Sequence, residues 1–152
     1  GAGKPQRARP TLGYAVALAA GFGLIVALVM QGAAEPVVAL FTDAGRADGA
    51  RVVELGGQYL RGYVWDCVFA GIHFCFSGYF CACGRSGLSF LHNIAAILLV
   101  RVPGAMLTSA WFPDTLFPMG LATSAGSLLS VLICLAAYRL LTRRRQPAPA
   151  GK

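Results

Sequence analysis

Residues 10–34, PTLGYAVALAAGFGLIVALVMQGAA, run for 25 positions without an Asp, Glu, Lys or Arg. An α-helix rises 1.5 Å per residue, so roughly 20 residues cross the ~30 Å of hydrocarbon in a bilayer. This stretch is long enough to span. Thr115 to Tyr138 adds a second charge-free run, of 24 residues, and Cys67 to Gly84 a third, of 18, which reaches span length once Gly62 to Trp65 is included. A fourth apolar stretch, Ser86 to Phe112, is broken only by Arg101. The whole chain of 152 residues is 57% hydrophobic and 12% charged, against about a quarter charged in a soluble domain. A water-soluble globular protein is thereby excluded, and so is a disordered one.

The expected fold is an all-α membrane protein with four transmembrane helices, at about 10–41, 50–83, 87–112 and 116–141, and a cytoplasmic tail at 142–152. Glu35-Pro36 is expected to kink the first helix rather than end it, because Val37 to Phe41 is again apolar. The stop falls at Thr42-Asp43-Ala44-Gly45. The second helix is longer than a bilayer requires, so Arg51, Glu54 and Gln58 are expected among the headgroups. Gly84-Arg85-Ser86-Gly87 makes a tight turn, and Trp111-Phe112 suits an interface. Pro103 frees a carbonyl near residue 99 and is expected to kink the third helix.

With four spans the connecting segments alternate sides. Lys4, Arg7, Arg9, Arg85, Arg139, Arg143, Arg144, Arg145 and Lys152 fall on one side with no acid. Arg46, Arg51 and Arg61 fall on the other with Glu35, Asp43, Asp48, Glu54 and Asp114. Cations gather on the cytoplasmic face, so both termini and the Gly84–Gly87 turn are predicted cytoplasmic. The net charge of +7 follows from that orientation. It points to the lipid bilayer as partner and not to nucleic acid. The chain opens on Gly without an n-region, so the first apolar run is expected to be a span and not a signal peptide, and the chain a piece of a longer protein.

Several words then occur in order. GAGKPQRA at 1–8 precedes an apolar helix ending Leu40-Phe41-Thr42-Asp43; Gln58-Tyr59-Leu60-Arg61 follows, then Gly84 after a helix and Arg101-Val102-Pro103 in the next. This ordered set resembles the multidrug and toxic compound extrusion (MATE) transporters. The resemblance covers nearly all of this chain and about the last third of such a transporter, the ninth to twelfth helices, within the second of two six-helix lobes. It implies a secondary active antiporter, not an enzyme, that exports cationic or amphipathic organic compounds in exchange for Na⁺ or H⁺. It also implies a cell membrane location, a bacterial inner membrane being expected, and a missing N-terminal part as partner, without which this chain is not competent. Two other classes stay open: a small four-helix oligomeric transporter or channel subunit, and a membrane scaffold without transport.

Asp66 is the one carboxylate inside the spans. At 100° per residue, Tyr59, Asp66, His73 and Ser77 fall within about 40° of one another and form a polar stripe that should face other helices or water. Asp66, His73 and Arg101 are the transport or cation-coupling candidates, and Tyr59 and Ser77 the cavity-lining ones. Asp66 is either the coupling carboxylate, with His73 as proton carrier, or the ion-pair partner that fastens Arg101. The family's carboxylate position on the tenth helix, counted back from Gly84, falls at Ile72 and His73. An unpaired Arg at mid-membrane costs at least ~2.5 kcal/mol, so Arg101 is expected to face the bundle.

Cys67, Cys75, Cys81, Cys83 and Cys134 project in different directions and are expected as apolar filler, with no metal site and no cofactor besides the coupling ion. His92 sits on another helix from His73 and is expected to complete nothing with it. Gly71 and Gly78 on the second helix, and Gly120, Ala122, Ser124, Gly126 and Ser130 on the fourth, are expected to allow close helix packing.

Overall fold

The computed structural model describes residues 5–42 and 48–143. The expected stop at Asp43–Gly45, the cations Lys4, Arg46, Arg144, Arg145 and Lys152, and the tail beyond 143 lie outside the described residues. Six α-helices and one π-helical turn make up the fold, with no strand among the described residues: α1 (Pro5–Ala39), α2 (Gly49–Tyr63), α3 (Trp65–Ala82), α4 (Ser86–Ala96), the π turn (Ile97–Arg101), α5 (Val102–Trp111) and α6 (Phe117–Arg143). Grouped by length and apolarity they form four segments able to cross a bilayer: Arg7–Ala39, Gly49–Ala82, Ser86–Trp111 and Phe117–Thr142. The chain is an all-α protein of four candidate spans.

α1 begins before the apolar run at Pro10 and passes through both Pro10 and Pro36. Past Pro36 it tightens: Phe41 N–H donates to Val38 O and Thr42 N–H to Ala39 O, three residues back, while the Thr42 hydroxyl donates to Val38 O. These bonds occupy carbonyls that a helix end leaves open.

The second span is interrupted where the apolar pattern gave one helix over 50–83. Cys67 N–H bonds Val64 O at 3.0 Å, three residues back rather than four. The cause is tertiary. At the crossing of α2 and α6, Gly62 and Gly120 meet backbone to backbone, and a side chain on either would run into the other helix's main chain. The Ser124 hydroxyl sits 3.0 Å from Gly62 O and 3.3 Å from Tyr63 O, a donor at carbonyls where the helical ladder is broken. In hydrocarbon such replacement is obligatory.

The third span carries the π turn directly before Pro103. Proline has no N–H for the carbonyl four residues earlier and its ring crowds that turn. The ladder widens, so that Val102 N–H bonds Ile97 O, five residues back. Between the second and third spans, Gly84 takes φ +71°, the left-handed conformation that only glycine adopts without strain.

α6 is the hub: it packs against α2, α3, α4, the π turn and α5, whereas α1 lies along α2 and α3. Glycines set the approach on both sides. A Cβ on Gly23 of α1 would lie 2.9 Å from the Val68 Cα, and one on Gly71 would touch Ala19. Gly78 meets nothing, and is not a packing residue as the sequence suggested. Leu12, Phe76, Phe80 and Cys134 form a buried apolar cluster, while Leu18, Phe22, Ile25, Leu28, Leu98 and Leu99 are exposed.

Candidate functional site

The two breaks in the helices bracket the polar centre of the molecule. Asp66 stands in the first turn of α3, just past the break at Val64, and is 6% exposed. Arg101 is the last residue of the π turn, so the widened turn sets the direction in which its side chain leaves the third span. Its Nη2 lies 3.1 Å from Asp66 Oδ1 and 2.7 Å from Ser127 Oγ on α6. Gly126 makes this possible: a Cβ there would stand 2.6 Å from Arg101 Cγ, so the stem of the arginine lies flat across the bare backbone of α6. Arg101 Nε is buried there with no hydrogen-bond partner. Removing a carboxylate and a guanidinium from water is expensive, and their mutual contact plus the serine hydroxyl offsets part of that cost.

The pair borders a cavity of about 350 Å³ whose polar lining is Tyr63, Asp66, His73, Asn93, Arg101 and Ser130. All three coupling candidates thus meet at one space. Of the two expected cavity-lining residues, neither borders it. Tyr59 stacks its ring on Tyr63, with centroids 5.6 Å apart, and Tyr63 takes the lining position. Ser77 lies a turn beyond His73 and is tied to Ser89 on α4 by a hydroxyl–hydroxyl hydrogen bond. Side chains on one face of a long helix reach different neighbours at different depths, which angular proximity alone does not reveal.

His92 stands closer to His73 than their places on different helices suggest. The rings of His73 and His92 meet edge to face with centroids 5.4 Å apart, and the two residues are 3% and 0% exposed. His73 Nδ1 and both ring nitrogens of His92 are buried without a hydrogen-bond partner. A signal was present: His73 lies eleven residues before Gly84 and His92 eight after it, so the two arms of one helical hairpin bring them to similar depth. The same geometry places Ser130, whose hydroxyl donates to His92 O at 3.3 Å.

A second polar cluster lies between α1 and α2. Arg61 pairs with Glu35 at 3.0 Å and its Nε donates to Gln31 O, while Gln31 Nε2 donates back to Arg61 O. Both charged side chains are more than a third exposed, so this clamp joins two helices at little desolvation cost. No group of three or more His, Cys, Asp or Glu placed to hold a metal occurs among the described residues, and their five cysteines are all free.

Compared with known proteins, residues 1–107 match the MatE family model. That interval takes in the first two spans, the π turn and the start of α5, and with them Asp66, His73, His92 and Arg101. No curated protein and no solved structure matches the chain.

Proposed function

Because the chain belongs to the MatE family of membrane transporters, we propose that it works by antiport, exporting cationic or amphipathic organic compounds in exchange for Na⁺ or H⁺, as part of a longer exporter. The observation that carries this reading is the Asp66–Arg101 pair at the edge of a cavity inside candidate membrane spans. A buried carboxylate held by one guanidinium can exist in two arrangements, paired or released. A coupling cation that favours one arrangement shifts the balance between transporter conformations by its differential affinity for them.

In this reading Asp66 is the carboxylate whose pairing with Arg101 changes during coupling, and Tyr63 and Asn93 are part of the surface met by the transported compound. The cationic ends of the spans, with Arg7, Arg9, Arg85 and Arg139, face the cytoplasm of a bacterial inner membrane, so that both termini of this chain lie inside.

The full-length protein in liposomes, with ethidium as the transported probe, tests the proposal. Asp66→Asn keeps an oxygen acceptor for Arg101 but removes the charge, and gradient-driven ethidium export is expected to fall at least tenfold. Normal export by Asp66→Asn would overturn the coupling role.

A further inference from the structure

The cavity holds more chemistry than the carboxylate requires. His73 and His92 are both buried, their rings in contact, and three of their four nitrogens lack any partner. Buried polar atoms in proteins are nearly always satisfied, and those that are not need a reason. Each neutral imidazole carries one lone pair on nitrogen, which makes the pair a base inside the membrane. We propose that His73 and His92 together are the proton-binding site of this transporter, so that the coupling ion is H⁺ and Asp66–Arg101 is the element that responds to it. This deepens the antiport reading and rests on it.

The groups facing the pair from each packed element support the assignment. From α3 itself comes Asp66, two turns away on the same cavity. From α4 and the π turn come Asn93 and Arg101, and from α6 Ser130 and, through Arg101, Ser127. From α1, which packs on the far side of α3, no charged residue occurs between Arg9 and Glu35. The balance beside the imidazoles is therefore one carboxylate against one guanidinium. Sodium sites favour a carboxylate among their oxygen ligands, and the carboxylate that borders the cavity among the described residues already has a guanidinium 3.1 Å away. A proton needs only a lone pair.

The step itself is simple. A proton leaves water when the cavity is open to one face and bonds to a free nitrogen of His73, whose neighbour His92 can share or take it. The resulting imidazolium repels Arg101 and attracts Asp66, loosening the ion pair that joins α3 to the third span. Deprotonation toward the other face restores it.

Liposomes containing the full-length protein and ethidium as probe decide the matter. A pH gradient is expected to drive ethidium accumulation in the wild type and a Na⁺ gradient at constant pH is not. His73→Gln and His92→Gln are each expected to lower pH-driven accumulation at least tenfold. Accumulation at the wild-type level in either variant, or Na⁺-driven accumulation in the wild type, would overturn the assignment and leave the exporter reading standing. A wild type that moves ethidium under neither gradient would instead remove the exporter reading. Should the variants not fold, the wild type in lightly buffered detergent is expected to release a proton on binding ethidium, and Asp66→Asn to release it as well; loss of release in Asp66→Asn would place the proton on the carboxylate and overturn the proposal.

Discussion

The two sides of α3 are held by different physics. Toward α1 the contact is apolar, and close at its centre, where Gly23 lies against the backbone at Cys67 and Val68 and Gly71 against Ala19; toward Leu12 and Gly78 it opens into an apolar groove. Toward the third span and α6 it is polar and open: an ion pair, two imidazoles, serine hydroxyls and a cavity of about 350 Å³. Lipid chains are as apolar as leucine, so nothing drives apolar side chains together in a bilayer, and helices associate by tight backbone packing or by polar contacts. The α1 side uses the first at Gly23 and Gly71. The α6 side uses the second, and its hydrogen bonds can be exchanged one for another.

The largest expected effect comes from the polar side. Asp66→Leu leaves the Arg101 guanidinium without its carboxylate inside the span and is expected to lower stability by about 2.5 kcal/mol, less than a fully buried pair would lose because the Arg101 side chain is 35% exposed while that of Asp66 is 9% exposed. The double variant Asp66→Leu with Arg101→Met should recover most of it. Titration of the purified protein into denaturing detergent, followed by circular dichroism, measures both; a double variant no better than the single would mean that the pair is not the fastening.

On the apolar side the expected effect is somewhat smaller and depends on which glycine is changed. Gly23→Val forces side-chain atoms against a neighbouring backbone that cannot yield, and overpacking of this kind costs about 2 kcal/mol. Gly78→Val, on the same pair of helices, enters open space and should change stability by less than about 0.5 kcal/mol. The same detergent titration tests the contrast, and equal losses at the two sites would contradict the described packing.

Smallest is the exposed clamp. Glu35→Gln removes an ion pair whose side chains are 37% and 46% exposed, and such pairs contribute at most about 0.5–1 kcal/mol. A midpoint unchanged at high salt, and nearly unchanged by the substitution, is the expected result. A loss as large as that of Asp66→Leu would show that Glu35 carries more of the fold than its exposure suggests.

The Asp66–Arg101 pair is legible in the amino-acid sequence, because only one acid and one arginine lie deep within the spans and an unpaired charge there is costly. The π turn is half legible: Pro103 announces a disturbed ladder, but not whether it kinks or widens. Tyr59 and Ser77 mislead, since sharing a helix face with Asp66 says nothing about which partner helix stands opposite each. His92 escapes notice for the complementary reason, being on a different helix from its partner.

What the sequence determined by itself is the number of spans, the uneven distribution of charge along them and the need for an internal ion pair. These follow from the thickness of hydrocarbon and the cost of charge within it, which act on each segment separately. What only the tertiary structure decided is the break at Val64, the glycine crossing of α2 and α6, and the meeting of His73 with His92. Those depend on the depth and rotation of one helix against another, and they are set by pairs of small residues whose closeness no single segment encodes.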